Sequence, residues 1–369
     1  MRVMQKRRRV SAVTFDPGRA GVRVSQIRTI GKRRETQDVL ALPIHDESEL
    51  SIEQAAHRLA RLMGQGDFSG RTIGLTLTPP HIAYHALRIP GELLAQPASR
   101  VREALAWEVA RETRVEPNEI EVRYWPLPQG HRQGLNVLAT SMSAAIAGRW
   151  FAAFAEQGLH LRRIDSSVSG LVRLACAYWP PASQELWGIL DLGAQRTNFS
   201  VMIGRVPTYI RSLPVGSDPL TTRISEGFEL TQQQAEQIKR RQGIRLGENP
   251  NASRDDRHRP RDDENLSSVV FGLVRDPLEQ LVSEIERCSD YVMKNFADLS
   301  VSRLVLAGGG ALLGGLDEYL ETILGVPVVR LASSALQNQQ PSDRPLGGVK
   351  FDTGTAAVTG AALLDLESR

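Results

Sequence analysis

Two glycine-containing turns constrain the fold of this chain more than any other feature. The first is Asp191-Leu192-Gly193-Ala194-Gln195-Arg196-Thr197-Asn198, and the second, about 115 residues later, is Leu306-Ala307-Gly308-Gly309-Gly310. Each turn follows a short apolar run that is typical of a buried strand. An earlier turn, Asp16-Pro17-Gly18, has the same setting. Such turns present backbone N–H groups and one carboxylate, which suits a phosphate and its Mg²⁺ ion. The ordered set predicts a nucleotide site between two related lobes.

Composition narrows the class of protein. A chain of 369 residues with 41% hydrophobic and 24% charged residues is long enough for two water-exposed lobes. Its net charge of +3 does not call for a nucleic-acid partner. No apolar run approaches the roughly 20 residues that cross a bilayer, and the stretch after the basic cluster at 6–9 is too short for a signal peptide. We therefore expect a cytoplasmic protein, with Cys176 and Cys288 as reduced core residues.

Hydrophobic periodicity predicts the elements of the first half. Alternating positions at 10–15 and 22–27, joined by a turn at 16–21, indicate a β-hairpin. The other elements expected here are a helix at 49–63, a strand at 72–77, strands at 81–89, 120–125 and 135–140 around a helix from 98 or 99 to 113, a helix at 144–158, a strand at 161–165 and a helix at 168–178.

The second half repeats this strand and turn order. Strands are expected at 186–191, 198–203 and 208–213. A capping box at Thr231–Gln234 begins one helix, and Asp276 with Pro277 at the first helical position is expected to begin another. The apolar stripe of this second helix runs from Leu278 to Phe296 and is typical of a core-facing helix. Residues 249–268 contain few apolar side chains and are expected to form a mobile loop.

These elements suggest a division of the chain. The first lobe core is expected at 10–78 and 138–182, with a last helix at 350–369 returning to it, and a small subdomain inserted at 79–137. The second lobe core is expected at 183–215 and 299–345, with a helical subdomain at 216–298.

Longer motifs carry a family resemblance. The quoted turn at 191–198 is followed by Arg211-Ser212-Leu213-Pro214-Val215-Gly216 and Ala235-Glu236-Gln237-Ile238-Lys239-Arg240, then by the segments at 285–291 and 306–316; Ala104-Leu105-Ala106-Trp107-Glu108 adds a first-half match. Together they resemble the actin/Hsp70/FtsA class of nucleotide-binding proteins and, within it, the PilM family of type IV pilus assembly proteins. The resemblance spans roughly residues 10–330 and is more specific in the second half.

The resemblance implies a fold and a site. The fold would be α/β, a two-lobed actin-like (ribonuclease H-like, duplicated) architecture with a small inserted α/β subdomain. ATP or ADP would lie between the lobes, with Mg²⁺ held by Asp16 and Asp191, in part through water. The residues implied at the nucleotide are Asp16, Gly18, Asp191, Gly193, Thr197, Asn198, Glu236, Lys239, Gly308, Gly309 and Gly310.

The resemblance also implies partners and a location. The short cytoplasmic tail of a PilN-like single-span membrane protein would lie along the first lobe near residues 80–140, and other pilus or secretion machine components, or further copies of the chain, would join it. The protein would sit at the inner membrane through these partners, without a span of its own and without nucleic acid. It would act as a structural adaptor with at most weak ATPase activity, and no catalytic residue is assigned.

One departure and several alternatives accompany this interpretation. In the first turn Pro17 lacks an N–H donor, no Ser or Thr is present, and Arg23 stands where the family often has lysine. These changes remove donors that a phosphate would use, so hydrolysis is not expected, and tight nucleotide binding and the Mg²⁺ ion are open to loss. The alternatives are a small-molecule kinase of the same superfamily with Asp165 as base, and a type II secretion or cell-division relative. Locally, Gly308–Gly310 could be an ordinary strand-to-helix turn, and Glu236 with Lys239 a surface ion pair.

Overall fold

The computed structural model describes residues 9–18, 21–30, 33–43, 50–128, 134–245, 261–295, 300–336, 346 and 348–367. The strands are β1 (Arg9–Val10), β2 (Val13–Asp16), β3 (Gly21–Ile30), β4 (Arg33–Pro43), β5 (Thr72–Leu77), β6 (Ala83–Leu87), β7 (Ile120–Pro126), β8 (Val137–Ser143), β9 (His160–Ser166), β10 (Leu186–Leu192), β11 (Thr197–Ile203), β12 (Val206–Leu213), β13 (Val301–Ala307) and β14 (Val328–Arg330).

The helices are α1 (Ile52–Met63), α2 (Gly91–Leu94), α3 (Ala98–Thr113), α4 (Ala144–Glu156), α5 (Ser167–Tyr178), α6 (Asp218–Gly227), α7 (Gln232–Gln242), α8 (Arg261–Asn295), α9 (Leu316–Leu324), α10 (Ser333–Leu336) and α11 (Ala356–Glu367). Short 3₁₀ turns lie at Pro117–Glu119 and Gly309–Leu312. Within the described residues, no helix combines the length and the apolar character needed to cross a bilayer.

Two sheets share one topology. In the first, β2 pairs antiparallel with β3 and β3 with β4, while β2–β5 and β5–β9 are parallel. In the second, β10–β11 and β11–β12 are antiparallel, while β10–β13 and β13–β14 are parallel. The same order and the same strand directions recur in each lobe, so the fold is a duplicated α/β unit, as the sequence predicts.

A third, smaller sheet stands between β5 and β9 in the chain. Its strand order is β6-β8-β7, with antiparallel pairs throughout, and α3 covers one face. The core between them includes Val101, Leu105 and Val109 from the helix. The sheet also reaches the second lobe, because the indole N–H of Trp125 donates to the carbonyl of Pro207 at 2.7 Å. The small sheet therefore links the two lobes beside the cleft.

The lobes meet around two helices. Helices α5 and α11 cross each other, and their apolar residues form one core with Trp187, Ile189 and Val305 of the second sheet. Helix α11 is held to the first lobe through the hydroxyl of Thr14, which donates to the Val358 carbonyl at 2.7 Å. The helix pair therefore joins the first lobe to the second sheet.

Local signals in the sequence are mostly confirmed, but the predicted start of the long helix is wrong. The capping box at Thr231 and Gln234 is present. In contrast, Asp276 is not an N-cap, because Pro277 lies inside α8. Buried side chains continue on both sides of the proline, from Val270 and Val274 to Leu278, and their burial offsets the missing backbone hydrogen bond.

The predicted loop at 249–268 is wrong over its last part. Residues 261–268 belong to α8, whose apolar stripe begins with Val270. Residues 249–260 lie outside the described part of the chain, as do Phe296 at the end of the stripe and residues 6–8 of the basic cluster. The sequence also missed β4 and α6, which add a third antiparallel strand to the first sheet and the first helix after β12.

Candidate functional site

The first carboxylate of the site is Asp16, the last residue of β2. Strand pairing sets Arg23 of β3 directly opposite, and its Nη1 lies 3.0 Å from Asp16 Oδ2. Burial raises the pKa of Asp16; the charge and hydrogen bond of Arg23, the backbone N–H of Gly18 and the charge of His81 act in the other direction. Asp16 is thus a buried carboxyl group with an arginine partner from its own hairpin.

The second carboxylate is Asp191 in β10, and Asn198 stands opposite it in β11. Burial raises the pKa of Asp191 to about 6, and the charge of Asp16 adds to this effect. The charge of Arg23 and a hydrogen bond from Asn198 lower it. The Oδ1 atom of Asn198 is buried without a hydrogen-bond partner. Asp16, Arg23 and Asp191 therefore form one electrostatic group that spans the two lobes.

The turn after Asp191 is closed on itself. The N–H of Gly193 donates to the carbonyl of Arg196 at 3.0 Å. Thr197 is fully buried, and its hydroxyl donates to the Val215 carbonyl at 2.6 Å. The hydroxyl hydrogen of Thr197 is thus bonded inside the second lobe. In this structure it is not available to donate a hydrogen bond to a phosphate group.

The three glycines after β13 have different surroundings. Gly308 has a φ of +86°, and a Cβ there would lie 2.8 Å from Asp191 Oδ1. A Cβ on Gly310 would lie 2.8 Å from that of Ser217, while a Cβ on Gly309 would face Arg23 Nη2 at 3.3 Å. Gly308 and Gly310 are therefore required by the chain's own packing, and Gly309 faces the cleft.

Glu236 and Lys239 form a network of their own on α7. Lys239 Nζ lies 2.5 Å from Glu236 Oε2 and donates to Thr221 Oγ1 at 2.7 Å. The Thr221 hydroxyl in turn contacts Glu236 Oε2 at 2.8 Å, and Arg240 binds the other carboxylate oxygen. The side chain of Lys239 is 3% exposed. The sequence alternative of an ion pair is present, but it is not a surface pair, because the ammonium of Lys239 is buried while Glu236 is 31% exposed.

Burial also governs the charges of this network. Burial lowers the pKa of Lys239, and the charge of Glu236 opposes that change. For Glu236 burial raises the pKa, but the charge of Lys239 and hydrogen bonds from Lys239, Arg240 and Thr221 outweigh it, so the net pKa is lowered. The two groups compensate each other, and a nucleoside would have to compete with this internal pairing.

The structure thus brings together part of the predicted site. Asp16, Gly18, Asp191 and Gly309 lie around Arg23, and Gly308 lies beside Asp191. Glu236 and Lys239 are instead tied to α6 through Thr221. Their assignment to a nucleotide stays a prediction.

Tyr84 of β6 is a residue that the sequence reasoning missed. Burial raises the pKa of its hydroxyl well above the usual range, and the charges of Asp165 and Asp191 add to this. The sequence gives no signal that Tyr84 lies near these two aspartates. Asp165 belongs to the first lobe and Asp191 to the second, and only the folded chain brings the inserted sheet close to both.

A divalent metal does not fit the site as it is built. Within the described ranges no three or more His, Cys, Asp or Glu side chains are grouped as metal ligands. The two carboxylates expected to hold Mg²⁺ already share the positive charge of Arg23. Asp165, the base candidate of the kinase alternative, is paired with Arg173 at 3.4 Å and accepts the N–H of Ser166.

Comparison with solved structures places this geometry in a fold class. A chain of a PilM-PilN type IV pilus biogenesis complex matches with a TM-score of 0.74 and 18% identity, covering 97% of this chain and 99% of the other. The chain has the actin-like fold. The predicted fold class and the predicted resemblance are confirmed at this level.

Other comparisons agree with the fold. The ethanolamine utilization protein EutJ from Carboxydothermus hydrogenoformans matches with a TM-score of 0.51 and 14% identity, over 96% of this chain and 89% of the other. MreB 5 of Spiroplasma citri, bound to AMPPNP, matches with a TM-score of 0.50 and 13% identity, over 97% and 96%. The family model of the cell division protein FtsA matches residues 188–348. No curated protein sequence is significantly similar to the chain.

Proposed function

We propose that this protein is an actin-like, nucleotide-binding scaffold of a type IV pilus or related secretion machine, and that it holds the cytoplasmic tail of a PilN-like membrane protein. The observation that carries the proposal is the match to the PilM-PilN complex over 97% of this chain, a share that includes the inserted sheet. At 18% identity the match concerns the fold, so the partner and the process are our inference.

The inserted sheet offers a surface for such a tail. Trp107 on α3 is 63% exposed, which is unusual for so large an apolar side chain. Aromatic side chains of this kind often dominate peptide-binding surfaces. On the other side of the same subdomain, Trp125 is bonded to Pro207 of the second lobe. A tail bound at the inserted sheet would thereby be coupled to the relative position of the lobes.

The cleft supplies the proposed nucleotide site. Support comes from the fold, from the AMPPNP-bound MreB 5 that shares it, and from Gly309, which faces the cleft beside Arg23. ATP or ADP bound there would favour one arrangement of the lobes and so one arrangement of partners, which is a shift of populations. A scaffold of this kind needs no residue placed to activate water, and any ATPase activity would be weak.

The same proposal fixes the protein's place in the cell. It would be cytoplasmic and held at the inner membrane by the PilN-like protein, together with other components of the machine or with copies of itself. This arrangement requires no membrane-crossing segment from the chain itself.

Binding to the tail tests the proposal. The probe is a synthetic peptide of the cytoplasmic tail of a PilN-like single-span membrane protein from the same genome, titrated into the full-length protein by calorimetry. We expect saturable binding that Trp107→Ala weakens by about tenfold or more. Ile323→Ala is the matched control, because Ile323 is 47% exposed on α9 of the second lobe. Absence of binding to the wild type, or equal losses in both variants, would contradict the proposal.

A further inference from the structure

Three glycines surround the guanidinium group of Arg23. A Cβ on Gly18 would overlap Arg23 Nη1, one on Gly309 would lie 3.3 Å from Nη2, and one on Gly354 would lie 3.8 Å from Nε. These glycines come from three separate segments, namely the first turn, the turn after β13 and the residues before α11. In this structure the space left by their missing side chains is taken by the arginine.

The position of Arg23 is set by strand pairing. Asp16 and Arg23 are register partners in β2 and β3, and directly opposed side chains of an antiparallel pair stand on the same face. The side chain of Arg23 is 17% exposed, so it is held between the lobes and not extended into solvent. The guanidinium is therefore a fixed part of the first lobe that reaches the Gly309 turn of the second.

Two carboxylates and one guanidinium group meet between the lobes. Asp16 and Asp191 would bring two negative charges together from opposite lobes, and Arg23 is bonded to the first and acts on the second. An arginine side chain remains charged inside proteins and offers several N–H donors in a plane. We propose that Arg23 is the resident cation of the interlobe cleft, standing where a divalent metal would otherwise bind between Asp16 and Asp191.

The positive charge of Arg23 affects which ligands can bind between the lobes. A bound Mg²⁺ would have to displace the guanidinium from Asp16 or sit beside its positive charge, and both are unfavourable. An anionic ligand such as a nucleoside diphosphate could instead accept hydrogen bonds from the guanidinium directly, as phosphates commonly do. Any nucleotide in this cleft would bind without a metal ion. This last step rests on the proposed function, whereas the role of Arg23 as a cation does not.

Thermal unfolding without nucleotide tests the role of Arg23. The full-length wild type and Arg23→Gln are unfolded in millimolar MgCl₂ and in EDTA at matched ionic strength. We expect the Tm of the wild type to be the same in both. Arg23→Gln leaves two carboxylates without their cation, so its Tm should fall in EDTA and recover by several degrees in MgCl₂, since a ligand that binds only the folded state raises its stability.

Two further variants separate charge from position. Arg23→Lys keeps the charge and should remain insensitive to Mg²⁺. Arg28→Gln is the matched control, because Arg28 lies on the same strand but pairs with Glu35 at 2.8 Å in a half-exposed setting. It should lose little stability and gain no Mg²⁺ response. A Mg²⁺ response of the wild type equal to that of Arg23→Gln, or no response in Arg23→Gln, would overturn the inference.

A direct titration keeps the test decisive if Arg23→Gln does not fold. MgCl₂ is titrated into the wild type by calorimetry, and saturable binding there would overturn the inference. Titration of ADP in MgCl₂ and in EDTA then addresses the nucleotide. We expect an affinity in EDTA that is at least as high as in MgCl₂, where Mg²⁺ holds part of the ADP in solution, and an affinity lost in EDTA would overturn the metal-free step. If ADP binds under neither condition, the proposed nucleotide site fails, while the unfolding experiment still decides the role of Arg23.

Discussion

Gly170 of α5 and Gly360 of α11 cross with their backbones in contact, because a Cβ on Gly360 would overlap the carbonyl oxygen of Gly170. Both helices belong to the core between the lobes. The crossing therefore sets the distance between the two helices in the core that joins the lobes.

Gly360→Ala is expected to destabilise the protein. The added methyl group would meet backbone atoms, so the two helices must move apart, at a cost of about 1–3 kcal/mol. Gly148→Ala is the control, since Gly148 is a helical glycine in α4 with open space around its Cβ position. That variant should be neutral or more stable by up to about 1 kcal/mol. Urea unfolding measures the free energy of unfolding of both variants. An equal effect of the two substitutions would contradict the close backbone contact at Gly360.

The Glu236–Lys239 pair gives a second stability prediction. Glu236→Ala leaves the buried ammonium of Lys239 with Thr221 as its remaining partner, and we expect a loss of about 2–4 kcal/mol. Lys239→Met should cost less, because Glu236 is 31% exposed and keeps Arg240.

An exposed pair on another helix provides the control for this prediction. Glu279 and Arg275 form an ion pair at 2.7 Å on α8, and both side chains are more than half exposed. Glu279→Ala should change the free energy of unfolding by less than about 1 kcal/mol. Chemical denaturation curves compare the variants. If Glu236→Ala were as mild as Glu279→Ala, the buried network described here would be contradicted.

Asp191 gives a pH-dependent prediction. Its pKa is raised from 3.8 to about 6 in the folded protein, so its ionisation opposes folding. The protein should gain stability from this group as the pH falls from about 6 to about 4, and Asp191→Asn should be the more stable form at pH 7, by on the order of 1–2 kcal/mol. The advantage of the variant should vanish below pH 4, where the wild-type carboxyl is protonated in both states.

Asp165→Asn is the matched control for Asp191→Asn. The Asp165 carboxylate is also largely buried, but it is paired with Arg173, so removing its charge should destabilise the protein at neutral pH. The measurement is the free energy of unfolding from pH 4 to pH 8 in EDTA. A destabilised Asp191→Asn at pH 7 would show that the Asp191 charge is favourable in the fold, against this account.

The sequence predicted what depends on local chemistry. The Thr231 capping box and the duplicated strand order rest on short-range patterns, and both are present. Strand register could also have placed Arg23 opposite Asp16, since the two residues flank one hairpin turn. Similarly, Pro219 near the start of α6 is a helix-start signal that is visible in the sequence.

Other features depend on contacts between distant parts of the chain. The burial of Lys239 is set by Thr221 from another helix, and a spacing of three residues cannot distinguish a surface pair from a buried one. In the same way, Gly309 meets Arg23 only after the lobes have closed on each other. The course of α8 through Pro277 follows from the burial of its stripe, which outweighs the local preference.

The affinity of the wild-type protein for the PilN-like tail peptide, in the absence of nucleotide and metal, is the decisive measurement. A scaffold whose cleft carries its own cation should bind the peptide in EDTA, with a Kd within about tenfold of that in Mg²⁺ and ATP. Phosphate release in the same sample should stay at the background level. Peptide binding that appears only with Mg²⁺ and ATP, or that is lost as ATP is hydrolysed, would contradict the account.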